Sequence, residues 1–127
     1  MEDWAGEYLG RQVLADLYDC NVDALKGVDI IRNIMLQAAA QGHATIVSES
    51  FRQFDPWGVS GMLIVQESHI AIHTWPEYGY AAIDAFTCGK EMNPSVVIES
   101  IARSLSSKIK IVREEFRGSR TSFKGVQ

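Results

Sequence analysis

Between Glu67 and Gly89 the chain reads ESHIAIHTWPEYGYAAIDAFTCG, gathering two of its three histidines, one of its two cysteines and one of its three tryptophans. A packed core does not need a hydroxyl, two imidazoles, a thiol and an indole so close together, whereas a reactive site does. A serine beside an imidazole base can serve as a nucleophile. A thiol with an ordinary pKa of about 8.5 is largely protonated at pH 7 and can donate a proton. Each residue also has an ordinary role. Cys88 could be a small buried hydrophobe, Trp75 a core or interface aromatic, and Ser68 one more serine before a histidine. His69 and His73 have the spacing of a metal pair on a helix, but not in a strand, so no metal site is expected.

The elements that must hold these groups are mostly strands. Val59–Gln66, His69–Trp75 and Tyr80–Cys88 are short β-type runs, the first two separated by Glu67-Ser68 and the last two by the turn Pro76-Glu77-Tyr78-Gly79. With Tyr78 at the centre of that turn, Ser68 and Cys88 fall opposite one another at the far end of the hairpin. Alternation puts His69, Ala71, His73, Trp75 and Glu77 on one face and sets Ser68 and His73 on opposite faces. His73 can then reach Ser68 only if the serine sits in the turn or a bulge intervenes.

Around this hairpin, Tyr8–Tyr18 reads as a strand with Leu9, Val13, Ala15 and Leu17 on one face. Val28, Ile31, Met35 and Ala38 mark a helix ending near Gly42. Ala44–Phe54 reads as a strand before the turn Asp55-Pro56-Trp57-Gly58. Asn93-Pro94 caps a helix carrying Val97, Ile101 and Leu105. Ile109 and Ile111 mark a last strand, and the polar tail from Gly118 is expected to be mobile. The order strand, helix, four strands, helix, strand predicts an α+β two-layer sandwich, a mostly antiparallel sheet with two helices on one face. The bare face predicts a homodimer pairing sheet to sheet.

The 127 residues, 46% of them hydrophobic, fit a single domain spanning 1–127. A net charge of −4, a pI near 5.3 and the lack of a Lys/Arg cluster argue against a nucleic-acid partner. No apolar run approaches the roughly 20 residues that span a bilayer, so no membrane partner is expected. Met1-Glu2-Asp3 lacks a basic leader, and two cysteines are too few for a disulfide framework. A reduced, cytoplasmic protein is the expectation.

The segment VSGMLIVQESHIAIHTWPEYGYAAIDAFTCG closely resembles the prokaryotic S-adenosylmethionine decarboxylase proenzymes, with YLGRQVLADLYDC and ATIVSESFRQFDPWGVSG similar to their earlier strands. The resemblance weakens after about Gly89. It implies a precursor that cuts itself between Glu67 and Ser68, giving a β chain of 1–67 and an α chain of 68–127. Ser68 attacks the Glu67 carbonyl, and His73, the proton acceptor, takes the Ser68 α-proton. Elimination and loss of ammonia then leave a pyruvoyl cap made from Ser68, with assistance from Ser60. The same resemblance implies that this cofactor, with neither a metal nor pyridoxal phosphate, captures the substrate amine as a Schiff base. Cys88 is then the proton donor after carbon dioxide leaves, Phe54 and Trp75 stack on adenine, and Glu77 accepts from the ribose hydroxyls. The implied product is decarboxylated S-adenosylmethionine for spermidine synthesis, made by a homodimer of processed protomers.

Gln12 stands where the family usually has histidine, Arg52-Gln53 where it has His-Arg, and Asp55-Pro56-Trp57 departs from its usual run. Two other readings therefore stay open: a pyruvoyl-dependent decarboxylase of ornithine or arginine, and a non-catalytic binding or regulatory relative. The presence of Ser68, His73 and Cys88 together weighs against the second of these.

Overall fold

Residues 3–123 are described in a computed structural model of the chain. After a short helix α1 (Trp4–Glu7) comes the strand β1 (Tyr8–Tyr18), then helices α2 (Val22–Lys26) and α3 (Val28–Gln41). Strands β2 (Ile46–Gln53), β3 (Val59–Val65), β4 (Ser68–Trp75) and β5 (Tyr80–Thr87) follow. Helix α4 (Pro94–Ser104) and strand β6 (Ile109–Ser119) complete the fold. The strands form one six-stranded sheet in the order β2-β3-β4-β5-β1-β6, and every neighbouring pair is antiparallel.

Alternation decides what each strand buries. Val13, Ala15 and Leu17 of β1, Val59, Leu63 and Val65 of β3, Ile70 and Ile72 of β4, and Ala81, Ile83 and Ala85 of β5 all lie in one core. They pack beneath Ile31, Met35 and Ala38 of α3 and Val97, Ile98 and Ile101 of α4. The helical stripes expected around Met35 and Ile101 are thus the faces that cover the sheet. Asn93 caps α4 by accepting from the Ser95 and Val96 amides, and Pro94 takes the first turn, where its missing N–H costs nothing. Ile72 is fully buried, and its truncation to alanine is expected to cost about 2–5 kcal/mol.

Among the described residues no helix covers the opposite face. Met62, Ile64, Trp75, Ile109 and Ile111 are all exposed there, beside polar Ser60, His69, His73 and Asp84. Two helices on one face were expected; α3 and α4 are those two, and α1 and α2 are additional short ones. No helix among the described residues is long and apolar enough to cross a membrane.

Several boundaries differ from the sequence expectations. Leu9 is exposed, unlike Val13, Ala15 and Leu17 of the same alternation, and its side chain lies against Gly118. The strand expected over 44–54 begins at Ile46 and ends at Gln53. Gly118 and Ser119 pair into the end of β6 rather than forming a loose tail. Residues 1–2 and 124–127 lie outside the described residues, so the expectations for the chain start and the far end of the tail fall there too.

Candidate active site

The hairpin that carries Ser68 turns at Gln66-Glu67, not at Glu67-Ser68. Ser68 is already the first residue of β4, paired with Val65 on one side and Thr87 on the other. The β4–β5 turn is a 3-10 turn over Pro76–Tyr78, closed by Gly79 at φ 61, a left-handed conformation that glycine adopts without strain. This turn sets the ladder so that Cys88 falls one residue beyond the partner of Ser68. Cys88 stands against Glu67 instead.

That offset has a chemical consequence. The Cys88 amide donates to the Glu67 carbonyl oxygen at 2.9 Å, and the Cys88 thiol reaches the same oxygen at 2.9 Å. The carbonyl of the Glu67-Ser68 peptide bond therefore has two donors aimed at it. Negative charge building up on that oxygen would be stabilised where it forms.

A second cluster forms further along the sheet. Ser60 and His73 are register partners on β3 and β4, and Ser60 Oγ lies 2.9 Å from His73 Nδ1. His73 also lies near Trp75, with ring centroids 6.5 Å apart. A cleft of about 300 Å³ opens beside them, bounded by Phe54, Asp55, Trp57, Trp75 and Glu77. The loop between β2 and β3 shapes this cleft, and Gln53 pins it. Gln53 accepts from the Val28 amide, while its own amide donates to the carbonyls of Lys26 and Gly58. Thr74, buried beneath, donates to the Leu25 carbonyl and accepts from the Val59 amide.

The two clusters do not meet within one chain. The β3–β4 and β4–β5 ladders run from Ser68 to His73 without a bulge, and Ser68 lies in the strand rather than the turn, so neither condition for contact within the chain is met. Five residues of extended strand separate the two by roughly 17 Å. Parity also puts Ser68 on the side of Ile70 and Ile72, and His73 on the uncovered face.

Two further carboxyl groups complete the region, Asp84, which sequence reasoning did not single out, and Glu67, named there only for its peptide bond. His69 Nε2 lies 2.7 Å from Asp84 Oδ2, and Gln12 donates to the same oxygen at 3.0 Å. Arg117 in turn donates to Gln12 Oε1 at 2.8 Å. Burial pushes the Asp84 carboxyl up, but hydrogen bonds from His69 and Gln12, with the charges of His69 and His73, outweigh it and hold it below the ordinary range. A lone acid within YAAIDAFT, on the same face as Tyr80 and Phe86, was the available signal. Glu67 is the other group, buried within a hairpin turn. Among the described residues no group of three His, Cys, Asp or Glu side chains is placed to hold a metal ion.

The fold has a close counterpart in the crystal structure of the adenosylmethionine decarboxylase from Aquifex aeolicus, with a TM-score of 0.84 and 35% identity. The match covers 88% of this chain and 92% of that one. The architecture is thus that of a carboxy-lyase. Residues 11–118 match the family model described as S-adenosylmethionine decarboxylase. A protein of Thermotoga petrophila named S-adenosylmethionine decarboxylase proenzyme is 47% identical over 110 residues, 87% of this chain and 85% of that relative. One of the same name from Acidithiobacillus ferrooxidans is 55% identical over 86 residues, 68% of this chain and 65% of the relative. The chain belongs to the S-adenosylmethionine decarboxylase family.

Proposed function

We propose that this chain is a pyruvoyl-dependent S-adenosylmethionine decarboxylase that cuts itself between residues 67 and 68 and completes its active centre in a homodimer. The observation that carries the reading is the pair of Cys88 donors on the carbonyl of the Glu67-Ser68 bond. Attack by Ser68 Oγ on that carbon breaks the peptide C–N bond and leaves an ester. Cys88 stabilises the oxyanion on the way. Removal of the Ser68 α-proton then breaks the Cβ–O bond, and Glu67 departs as a carboxylate. Water replaces the nitrogen at residue 68 and ammonia leaves, producing the pyruvoyl cap of the 68–127 chain.

The surroundings of residue 68 suit such a group. It is small and uncharged, it heads a paired strand between Val65 and Thr87, and a thiol stands one residue away on the neighbouring strand. Once formed, the group supplies a carbonyl that takes up the substrate amine and accepts electrons as carbon dioxide leaves. Cys88 keeps a proton close to this position for return to the product.

The base for processing is His73, and it comes from the partner protomer. Ser60 fixes its ring through Nδ1, leaving Nε2 to work. The uncovered sheet face, with Met62, Ile64, Ile109 and Ile111 exposed, supports pairing with a second copy. Such a pair can set the Ser60–His73 cluster of one copy against the exposed Cys88 of the other, with residue 68 at the start of the neighbouring strand.

The cleft supports a nucleoside-bearing substrate rather than ornithine or arginine. Phe54 and Trp75 offer aromatic faces for a purine, and Glu77 an exposed acceptor for ribose hydroxyls. Intact-mass measurement and carbon dioxide release test the reading together. Two fragments divided at residue 68, the second blocked at its start, and turnover of S-adenosylmethionine above ornithine and arginine are expected. An uncut chain after long incubation, or cut protein inert toward S-adenosylmethionine, would overturn it.

A further inference from the structure

Glu67 is the only charged residue among the described residues that is buried, at 7% exposure, although it occupies a two-residue hairpin turn. Turn residues normally face water, and a carboxylate withdrawn from water is unfavourable unless hydrogen bonds compensate. Its compensation comes from one place. Glu67 Oε1 accepts from the Thr45 amide at 3.2 Å, and the Thr45 carbonyl accepts from the Gln66 amide at 2.8 Å. Thr45 thus holds both turn residues with its two main-chain groups. On the other side, Cys88 holds the Glu67 carbonyl, and the Glu67 side chain passes close over Gly89. Residue 67 is therefore tethered by its side chain to the segment entering β2 and by its main chain to the segment leaving β5.

We propose that the Glu67 carboxylate is a positioning residue for self-cleavage. Through the Thr45 amide it fixes the turn so that the scissile carbonyl stays against Cys88 while the Ser68 oxygen attacks. A turn anchored only by its main chain could rotate that carbonyl away from its donors, and misplacement of a reacting atom by about 1 Å can cost a hundredfold in rate. The carboxylate itself takes no proton and forms no bond. What the site needs from it is an acceptor at the right reach.

The inference rests on the 67–68 bond being the one cut, and the test separates the two. Cleavage is followed by intact mass in the wild type, Glu67→Gln, Glu67→Asp, Glu67→Ala and His73→Ala, with circular dichroism and melting on each. Glutamine keeps a side-chain oxygen at the same length, so Glu67→Gln is expected to cleave within about threefold of wild type. Glu67→Asp, one methylene short, and Glu67→Ala are expected to cleave at least about tenfold more slowly while remaining folded.

Hydroxylamine then locates the defect. It cleaves an ester at Ser68, leaving a hydroxamate on Glu67 and an intact serine on the second fragment. It should release fragments from His73→Ala, which is blocked after the ester. It should release few from Glu67→Ala, which is blocked before it. Glu67→Ala cleaving at the wild-type rate overturns the clamp alone, and so does Glu67→Gln as slow as Glu67→Ala. Wild type left whole, or cut elsewhere, overturns the cleavage reading and the clamp with it. If Glu67→Ala does not fold, the comparison of glutamine with aspartate decides.

Discussion

Ser60 Oγ and His73 Nδ1 stand 2.9 Å apart as register partners on β3 and β4, on the uncovered face, while Ser68 lies five residues away on the helical side. On the proposed reading, His73 is too far from Ser68 of its own chain to act on it and serves the Ser68 of a second copy.

Mixing two defective chains tests this. Ser68→Ala cannot be cut but keeps His73, and His73→Ala keeps Ser68 and Cys88. Each alone is expected to remain whole. Co-expressed, random pairing puts roughly half of the chains in mixed dimers, each with one complete site. The His73→Ala chain should then appear as two fragments by mass spectrometry, and the Ser68→Ala chain should not. Continued absence of cleavage in the mixture, with mixed dimers present, would place the base within the same chain.

Cys88 touches the Glu67 carbonyl with its thiol and its amide, and only the thiol is lost on mutation. Cys88→Ala should therefore slow self-cleavage without abolishing it, by about ten- to a hundredfold, since the amide remains as a donor. Turnover by the processed fraction should fall more than cleavage does, because the backbone amide that remains can donate a hydrogen bond but cannot give up its proton as a thiol can. The two rates are separable, cleavage by gel densitometry and turnover by carbon dioxide release from purified cut protein.

Much of this arrangement could be read from the chain, and the parts that could not share a cause. Alternation along β4 predicted that Ser68 and His73 face opposite ways, and they do. The hairpin placed Cys88 one residue out of register, because Pro76–Tyr78 winds as a 3-10 turn and moves the centre to between Glu77 and Tyr78. Asp84, fifteen positions after His69, is its partner, a pairing that the spacing of the histidines did not reveal. Gln12 and Thr45 meet Asp84 and Glu67 from strands and loops far away in sequence. Periodicity reports which way a side chain points, but not what a distant segment brings to it.

Phe54 and Glu77 border the cleft and touch neither of the Cys88 contacts. Their replacement should spare processing and weaken substrate binding. Loss of one aromatic stacking face is worth about 1–3 kcal/mol, so Phe54→Ala is expected to raise KM for S-adenosylmethionine by about ten- to a hundredfold. Glu77→Gln should raise it less, because the amide oxygen still accepts. Steady-state kinetics on fully cut protein provide the measurement. An unchanged KM with kcat reduced would remove both residues from the substrate site.

Asp84 gives the fold a pH dependence of known sign. Its folded pKa lies below the ordinary value, because the hydrogen bonds from His69 and Gln12 and the charges of His69 and His73 outweigh burial. A carboxyl of this kind contributes stability that is fully present above its unfolded pKa of about 3.9 and is lost as the pH falls through the folded value. Asp84→Asn removes that titration. Near pH 6 the variant should melt below the wild type by about 2–5 °C, the scale expected for one charge-assisted pair that is partly exposed. Toward pH 3 the gap should close as wild-type Asp84 becomes protonated and His69 loses its anionic partner. A gap that stays constant from pH 6 to pH 3 would mean that Asp84 acts through packing rather than charge.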